Sequence, residues 1–189
     1  MRDFVNTVVK CKPNMIYVKL SPEILKKIDN FVREVIKAKE IEQHHVVDNS
    51  QEYKRFFTGM MGECAVEQLF GVQFVDWTIG DSSYYNSADL RALNINVGIK
   101  TVEMYKFPII HKRSEKPEII CIKRTDDTVI ICGLATCDVL NTYQDDSLVL
   151  SPKLRARGTK TGFYGFEHLK PITSLEDLKP YQKYIKTDI

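Results

Sequence analysis

The chain has 189 residues and a formal net charge of +2, with 27 lysines and arginines against 25 aspartates and glutamates. This length fits one domain with at most a small appendage, and the near-neutral charge excludes a histone-like or strongly polybasic nucleic-acid binder. No apolar run approaches the roughly 18 residues of a membrane span, and we expect no signal peptide. The five cysteines form no CxxC pair, which favours reduced thiols in a cytoplasmic protein.

The N-terminal part of the chain predicts a short strand followed by a long helix. Residues 15–20 (MIYVKL) have the composition of a strand, and residues 21–43 carry apolar side chains at helical spacing. Ser21 is suited to cap this helix, and Pro22 to occupy its first position. We expect residues 1–48 to form a strand-helix cap on an α/β domain of residues 49–189.

The rest of the chain mixes predicted helices and strands. A second helix is predicted over residues 52–70 and ends at Gly71. Strands over residues 88–92 and 95–104 are expected to pair through a tight turn near Asn94, and residues 118–123 pair with 129–132 in another hairpin. A short helix over residues 136–143, a strand over 148–150 and a helix from Ser174 follow. This order predicts an α/β fold with a central mixed sheet flanked by helices.

Three polar residues stand in apolar surroundings. Glu63 lies beside the apolar face of the second predicted helix, where an unpaired carboxylate costs free energy. Asp89 opens a predicted strand after a polar loop, although aspartate there also serves turn chemistry. Lys100 shares a strand face with Gly98, and a strand glycine often marks the close approach of a ligand. Each residue also has a purely structural interpretation. Glu63 would lie at the margin of the buried helix face, Asp89 would belong to a turn, and Lys100 would lie on an exposed sheet edge.

Together these segments resemble the PD-(D/E)XK nuclease superfamily, which has the restriction-endonuclease-like fold. In that superfamily a helix carries a glutamate, an aspartate begins one hairpin strand and a D/E-x-K triplet lies on the next. The matching residues are Glu63 in GECAVEQLFG, Asp89 in SADL and Lys100 in VGIKTVE, within residues 52–150. The pattern is similar to small phage and bacterial members. The resemblance implies a restriction-endonuclease-like core and a Mg²⁺-dependent DNA nuclease, with Mn²⁺ as a substitute metal.

The resemblance also implies a role for each residue. Glu63, Asp89 and the main-chain carbonyl of Ile99 would hold the metal, which would acidify a water for attack on the scissile phosphate. Lys100 would orient that water or stabilise the negative charge on the pentavalent phosphorus. Glu63, Asp89 and Lys100 are therefore the expected catalytic residues.

One position departs from the family pattern, because Gly98 stands where the triplet usually has its first acidic residue. Glu63 is the preferred substitute for the missing carboxylate, ahead of Glu103, which would need a bulge to face the site. Gly98 motivates one alternative, an inactive module of the same fold that binds DNA or a partner protein. A separate alternative is an unrelated α/β protein in which Glu63, Asp89 and Lys100 are all structural.

Basic residues are concentrated in residues 106–124 and 153–170. The second stretch mixes cations, glycines and aromatic residues, a composition suited to phosphates and bases. We expect DNA contacts from Lys153, Arg155, Arg157 and Lys160, with a solvated basic loop as the alternative. A homodimer is expected by analogy, since restriction-type nucleases often cut both strands as dimers.

Overall fold

A computed structural model describes residues 3–9, 14–41, 49–79 and 88–182. Its strands are β1 (Ile16–Lys19), β2 (Gly98–Glu103), β3 (Ile109–His111), β4 (Glu118–Lys123), β5 (Thr128–Ala135), β6 (Gln144–Asp145) and β7 (Lys160–Phe163). Its α-helices are α1 (Phe4–Val9), α2 (Pro22–Ile41), α3 (Asn49–Phe70), α4 (Cys137–Thr142) and α5 (Pro152–Arg157). The expected α/β class is confirmed.

Two sheets organise these elements. The larger sheet has the order β1-β5-β4-β2 and is mixed, because β2 and β4 run parallel while the other two pairs are antiparallel. The smaller sheet has the order β3-β7-β6 and is antiparallel. β2 is therefore an edge strand of the larger sheet, and one side of its backbone faces away from β4.

The larger sheet is covered on both faces. One face carries Ile119 and Cys121 and packs in an apolar cluster with α2 and α3. The other face carries Ile120 and Ile122 and packs against Phe163 of the smaller sheet. Since successive strand residues point to opposite faces, the same alternation assigns Ile99 and Thr101 of β2 to the helix-covered face. Gly98 and Lys100 belong to the face of the smaller sheet.

The first predicted strand and the two long helices that follow it are confirmed, whereas helix α1 was not predicted. Helix α2 begins at Pro22, and residues 42–48, which include the end of the predicted helix, lie outside the described residues. Helix α3 ends at Phe70, and Gly71 follows in the left-handed conformation with φ +67°. The strand predicted for the cap, β1, pairs with β5 in the larger sheet, and α2 packs in the same cluster as α3.

The predicted strand over residues 88–92 is wrong. Residues 88–94 form a turn and a short 3₁₀ helix (Arg91–Leu93), which ends at Asn94 in the left-handed conformation with φ 57°. The chain then doubles back, and the Leu90 amide donates to the carbonyl of Val97 over 3.3 Å. Leu90 is fully buried. The apolar side chains therefore anchor a compact turn, and β2 starts only at Gly98.

Two predictions in the C-terminal half also differ from the structure. Residues 148–150 form no strand, because Asp145 caps a 3₁₀ turn through the Ser147 amide at 2.9 Å, and Leu150 is 79% exposed. The helix predicted from Ser174 does begin after that residue, and Ser174 and Asp177 form a capping box. It is a 3₁₀ helix (Leu175–Tyr181). The β4–β5 hairpin and helix α4 are confirmed.

Helix α3 comes very close to β2 at Gly62. A Cβ atom at this position would lie 2.8 Å from Cβ of Thr101 and closer still to the Thr101 hydroxyl. Real Cβ atoms do not come so near to other atoms, so glycine is required for this contact. The contact fixes α3, and with it Glu63, against the strand that carries Lys100.

We therefore expect Gly62→Ala to lower the free energy of unfolding by about 1–3 kcal/mol, the usual cost of overpacking. Gly59→Ala, one turn earlier on α3, is the matched control because a Cβ there meets nothing within 4 Å. It should keep or raise stability, by up to about 1 kcal/mol, since alanine is the better helix former. Urea unfolding of both variants is the measurement, and equal effects would contradict the close approach.

Candidate active site

Asp89 is attached to the edge of β2 by a hydrogen bond from the chain. Its Oδ2 accepts the main-chain N–H of Ile99, the residue that precedes Lys100. The carboxyl is partly buried, and burial raises its pKa above the ordinary value. The Ile99 N–H and the charges of Lys116 and Lys100 act in the opposite direction. The structure brings Asp89 close to Lys100, although Asp89 is in a turn and not on a strand.

The main chain of Ile99 faces the same side as Asp89. The N–H of the preceding residue, Gly98, donates to Pro117 on the β4 side over 2.9 Å. Since successive residues of a strand direct their backbone groups to alternate sides, the N–H and the carbonyl of Ile99 point away from β4. That carbonyl lies on the open edge of the sheet, as the predicted metal role requires.

Gly98 leaves a space that Lys116 reaches. A Cβ at Gly98 would lie 3.4 Å from Oδ2 of Asp89, and 3.2 Å and 3.4 Å from Cε and Nζ of Lys116. A side chain at Gly98 would therefore point at both charged groups. Because Gly98 has no side chain, the Lys116 ammonium lies in the space that an acidic side chain at this position would enter. The sequence marks Lys116 only as part of the basic stretch over residues 106–124.

Glu63 approaches the site from helix α3. It is partly buried, and burial together with the negative charges of Asp89, Asp76 and Glu67 raises its pKa to about 8. Helix α3 packs on the Thr101 face of β2, as shown by Gly62, whereas Gly98 belongs to the opposite face. Glu63 is thus brought near Asp89 but approaches from the other face of β2.

Glu103, the second candidate for the missing carboxylate, is engaged elsewhere. Strand β2 is regular here, and Glu103 pairs in register with Lys123 of β4. Its carboxylate forms an ion pair with Nζ of Lys106, which lowers its pKa. Without a bulge Glu103 shares a face with Thr101, so it faces away from Lys100.

Glu118 is the acidic residue that sequence reasoning missed. It begins β4 and stands directly beside Gly98 in the parallel register, so both residues belong to the same face. Its Oε2 is buried and accepts no hydrogen bond. Burial raises its pKa, which Lys100, Lys116 and Lys160 lower and Asp89 raises further. The only local signal was the run Lys116-Pro117-Glu118 before an apolar strand.

The smaller sheet adds two basic groups. Nζ of Lys160 on β7 lies 2.6 Å from Nε2 of His111 on β3. Burial and the charge of Lys100 lower the pKa of Lys160 to about 8, while Glu118 raises it. Burial and the charges of Lys160, Lys100 and Lys116 lower the pKa of His111. A bound anion would therefore stabilise the protonated forms of Lys160 and His111.

The other expected DNA-binding residues lie on or near helix α5. Lys153 and Arg157 are exposed there, whereas Arg155 donates to the carbonyl of Val149 over 3.1 and 2.7 Å. Arg155 therefore helps hold its own segment in place. Of the four predicted residues, only Lys160 has a described electrostatic contact with Lys100 and Glu118.

The donors near Asp89 suit a hard cation in type. Carboxylate and carbonyl oxygens are the ligands that Mg²⁺ prefers, and Glu118 has a buried oxygen without a partner. Within the described ranges, no three histidine, cysteine, aspartate or glutamate side chains converge as a metal-binding group. A site here would thus combine two carboxylates with the Ile99 carbonyl.

Comparison with protein-family models, with curated proteins and with solved structures gives no match to this chain. The resemblance to PD-(D/E)XK nucleases therefore depends on the residues alone.

The described cysteines, Cys64, Cys121, Cys132 and Cys137, are free thiols. None of the helices in the described ranges combines the length and apolar character needed to cross a membrane.

The raised pKa of Glu63 predicts how stability depends on pH in metal-free buffer. Free glutamate titrates near pH 4.3, and the folded carboxyl titrates at about 8. Between these values the folded state binds more protons than the unfolded state, so the free energy of unfolding falls as pH rises. We expect Glu63→Gln to reduce this fall between pH 5 and pH 8 by at least about 1.4 kcal/mol, equivalent to one pKa unit.

Urea unfolding at pH 5, 6.5 and 8 with a chelator measures this effect. Glu34→Gln changes an exposed glutamate of α2 and should leave the dependence unchanged. Some dependence should persist in Glu63→Gln, because the pKa values of Asp89 and Glu118 are also raised. Parallel curves for wild type and Glu63→Gln would contradict the assigned environment of Glu63.

Proposed function

We propose that this chain is a metal-dependent nuclease that hydrolyses phosphodiester bonds in DNA, with an endonucleolytic mode of cleavage. The observation that carries the proposal is the Asp89 carboxylate fixed to the Ile99 amide, next to Lys100. The edge of β2 thus combines a carboxylate, a main-chain carbonyl and a lysine. These groups are suited to the hydrolysis of a phosphodiester bond. The mixed sheet and the helix that carries Glu63 support a restriction-endonuclease-like core, while the turn at residues 88–94 departs from it.

In this proposal Asp89, Glu63 and the Ile99 carbonyl hold Mg²⁺, for which Mn²⁺ can substitute. When bound, the cation polarises a phosphate oxygen and favours a hydroxide nucleophile. Lys100 lies on the same face as the Gly98 position and orients the attacking water or stabilises charge on phosphorus. Lys116 and Lys160 place further positive charge around the phosphate.

Lys153, Arg155, Arg157 and Lys160 are proposed to contact the DNA backbone. Lys153 and Arg157 are exposed on α5, and Lys160 connects the same segment of chain to the carboxylate site. The sequential proximity of α5 and β7 supports one continuous phosphate-binding surface. Homodimerisation and a cytoplasmic location stay predictions from the sequence.

A second candidate is an inactive module of the same fold that binds DNA or a partner protein. The position of Lys116 favours it, because an ammonium beside Asp89 lowers the need for a cation there. A polyanion would then be held by lysines alone. This candidate predicts DNA binding that divalent cations do not strengthen.

We expect Asp89→Asn and Lys100→Met to reduce cleavage of supercoiled and linear plasmid at least about 100-fold in Mg²⁺ or Mn²⁺, since each removes a charged group at the phosphate. Asp126→Asn and Lys26→Met are matched controls at exposed positions of the β4–β5 turn and of α2. Both should cleave at the wild-type rate.

Cleavage by Asp89→Asn at the wild-type rate would overturn the nuclease proposal. A wild-type protein that never cleaves but shifts DNA in a salt-sensitive manner would favour the inactive module. Absence of both cleavage and DNA binding would leave a protein partner or an unrelated α/β protein as the better interpretation.

The role of Lys160 in DNA binding is tested separately. Lys160→Gln should weaken binding to all DNA sequences alike and reduce the slope of log K against log salt by about one. Lys26→Gln is the control on the exposed side of α2. Fluorescence anisotropy with Asp89→Asn protein avoids cleavage during the titration, and an unchanged salt slope for Lys160→Gln would exclude a phosphate contact.

A further inference from the structure

Gly98 removes a carboxylate from β2, and the neighbouring strand provides one beside it. In the parallel pairing of β2 with β4, Gly98 and Glu118 are partners. Partners in such a pair direct their side chains to the same face. Adjacent strands lie about 4.8 Å apart, so the Glu118 side chain starts about one strand spacing from the vacant Cβ position. That position is itself 3.4 Å from Oδ2 of Asp89.

The Glu118 carboxylate has a buried oxygen without a hydrogen-bond partner. Its Oε2 is buried and accepts no hydrogen bond, although buried carboxylate oxygens are normally paired. Among the described residues, the charged groups that act most strongly on Glu118 are the acidic Asp89 and three lysines. A cation ligated by Asp89 and Glu118 would satisfy this oxygen and offset the repulsion between the two carboxylates.

Glu63 and Glu103 are less suited to this role. Glu63 comes from a helix that packs on the opposite face of β2, and Glu103 is paired with Lys106 on that face. Glu118 combines the face of Gly98, the adjacent register position and an unsatisfied oxygen. No other acidic residue of the described ranges has all three properties.

We propose that Glu118, in place of Glu63, supplies the carboxylate that Gly98 lacks, as a ligand of the divalent cation together with Asp89 and the Ile99 carbonyl. This inference rests on the proposed function, because it assigns a ligand within the same metal site. Lys116 then has to withdraw from the space beside Gly98 when the cation binds, which its long, flexible side chain permits. The acid of the triplet has moved from one strand to the next on the same face of the sheet.

The test measures Mn²⁺ binding by electron paramagnetic resonance of free Mn²⁺, without DNA. Glu118→Gln should weaken Mn²⁺ binding at least about tenfold, as for loss of a metal-site group, and Asp89→Asn should weaken it as much or more. Glu115→Gln is the matched control, since Glu115 is exposed on the same connection. Thermal unfolding in chelator identifies any variant that fails to fold.

A second variant, which moves the carboxylate from β4 to β2, distinguishes the loss of a metal ligand from general damage to the fold. Gly98→Glu in the Glu118→Gln background returns the carboxylate to β2, where the three atoms nearest to a Cβ belong to the Lys116 and Asp89 side chains and lie 3.2 Å or more away. We expect it to recover at least half of the lost binding free energy. Recovery by relocation supports a ligand role, because a role in folding would not be restored from a different strand.

Three results would overturn the inference in different ways. If Glu118→Gln binds Mn²⁺ with wild-type affinity while Asp89→Asn binds it more weakly, the metal site of the proposed function is supported but Glu118 is not one of its ligands. If Glu118→Gln keeps Mn²⁺ affinity but loses cleavage, Glu118 positions Lys100 or Lys160 instead. If wild type binds no Mn²⁺, or Asp89→Asn binds it unchanged, the metal site of the proposed function fails as well.

Discussion

The hydrogen bond between the Asp89 carboxylate and the Ile99 amide is the contact that holds an acidic residue at the edge of β2. β2 is an edge strand among the described residues, and no described strand provides acceptors for its outward N–H groups. Asp89 provides one with its side chain, so the turn at residues 88–94 stands at the edge without adding a strand. Because the bond is adjacent to Lys100, it fixes a carboxylate next to the only lysine of β2.

The turn holds this position because its apolar residues are buried. Leu90, Ile95 and Val97 are at most 2% exposed, and the Asn96 amide donates to the Tyr181 carbonyl over 3.0 Å. The segment is thus attached to the core on one side and to the C-terminal 3₁₀ helix on the other. Asp89 is positioned by this packing, while its carboxyl carries the free-energy cost that burial imposes on charge.

Local patterns were enough to predict helices α2, α3 and α4 and the β4–β5 hairpin. The apolar spacing of α2, the left-handed Gly71 and the turn residues 124–128 all act within a few residues of one another. The same reasoning failed at residues 88–92, because alternating apolar residues fit a strand and an anchored turn equally well. What decided between them was the packing of Leu90 beneath the turn, which involves distant parts of the chain.

The site was predicted in part for the same reason. Asp89, Lys100 and Ile99 are close in sequence, and the structure brings them together. Glu118 was missed because the period of EIICIK indicates only a buried strand, and nothing in it reveals that β4 runs parallel to β2 in a register that pairs Glu118 with Gly98. Parallel pairing joins segments that are distant in sequence, so its register is not encoded by a local turn.

The glycine at position 98 acquires a physical meaning from this register. A side chain there would stand between Asp89 and the neighbouring strand and would displace Lys116, while glycine leaves the space open to groups from β4. A parallel pair keeps register partners on one face, so an acidic residue can move from β2 to β4 and still face Asp89. A residue on helix α3 does not share the face of Gly98, because α3 packs on the other face of β2. Loss of the acidic residue in the triplet therefore does not by itself imply loss of the carboxylate from the site.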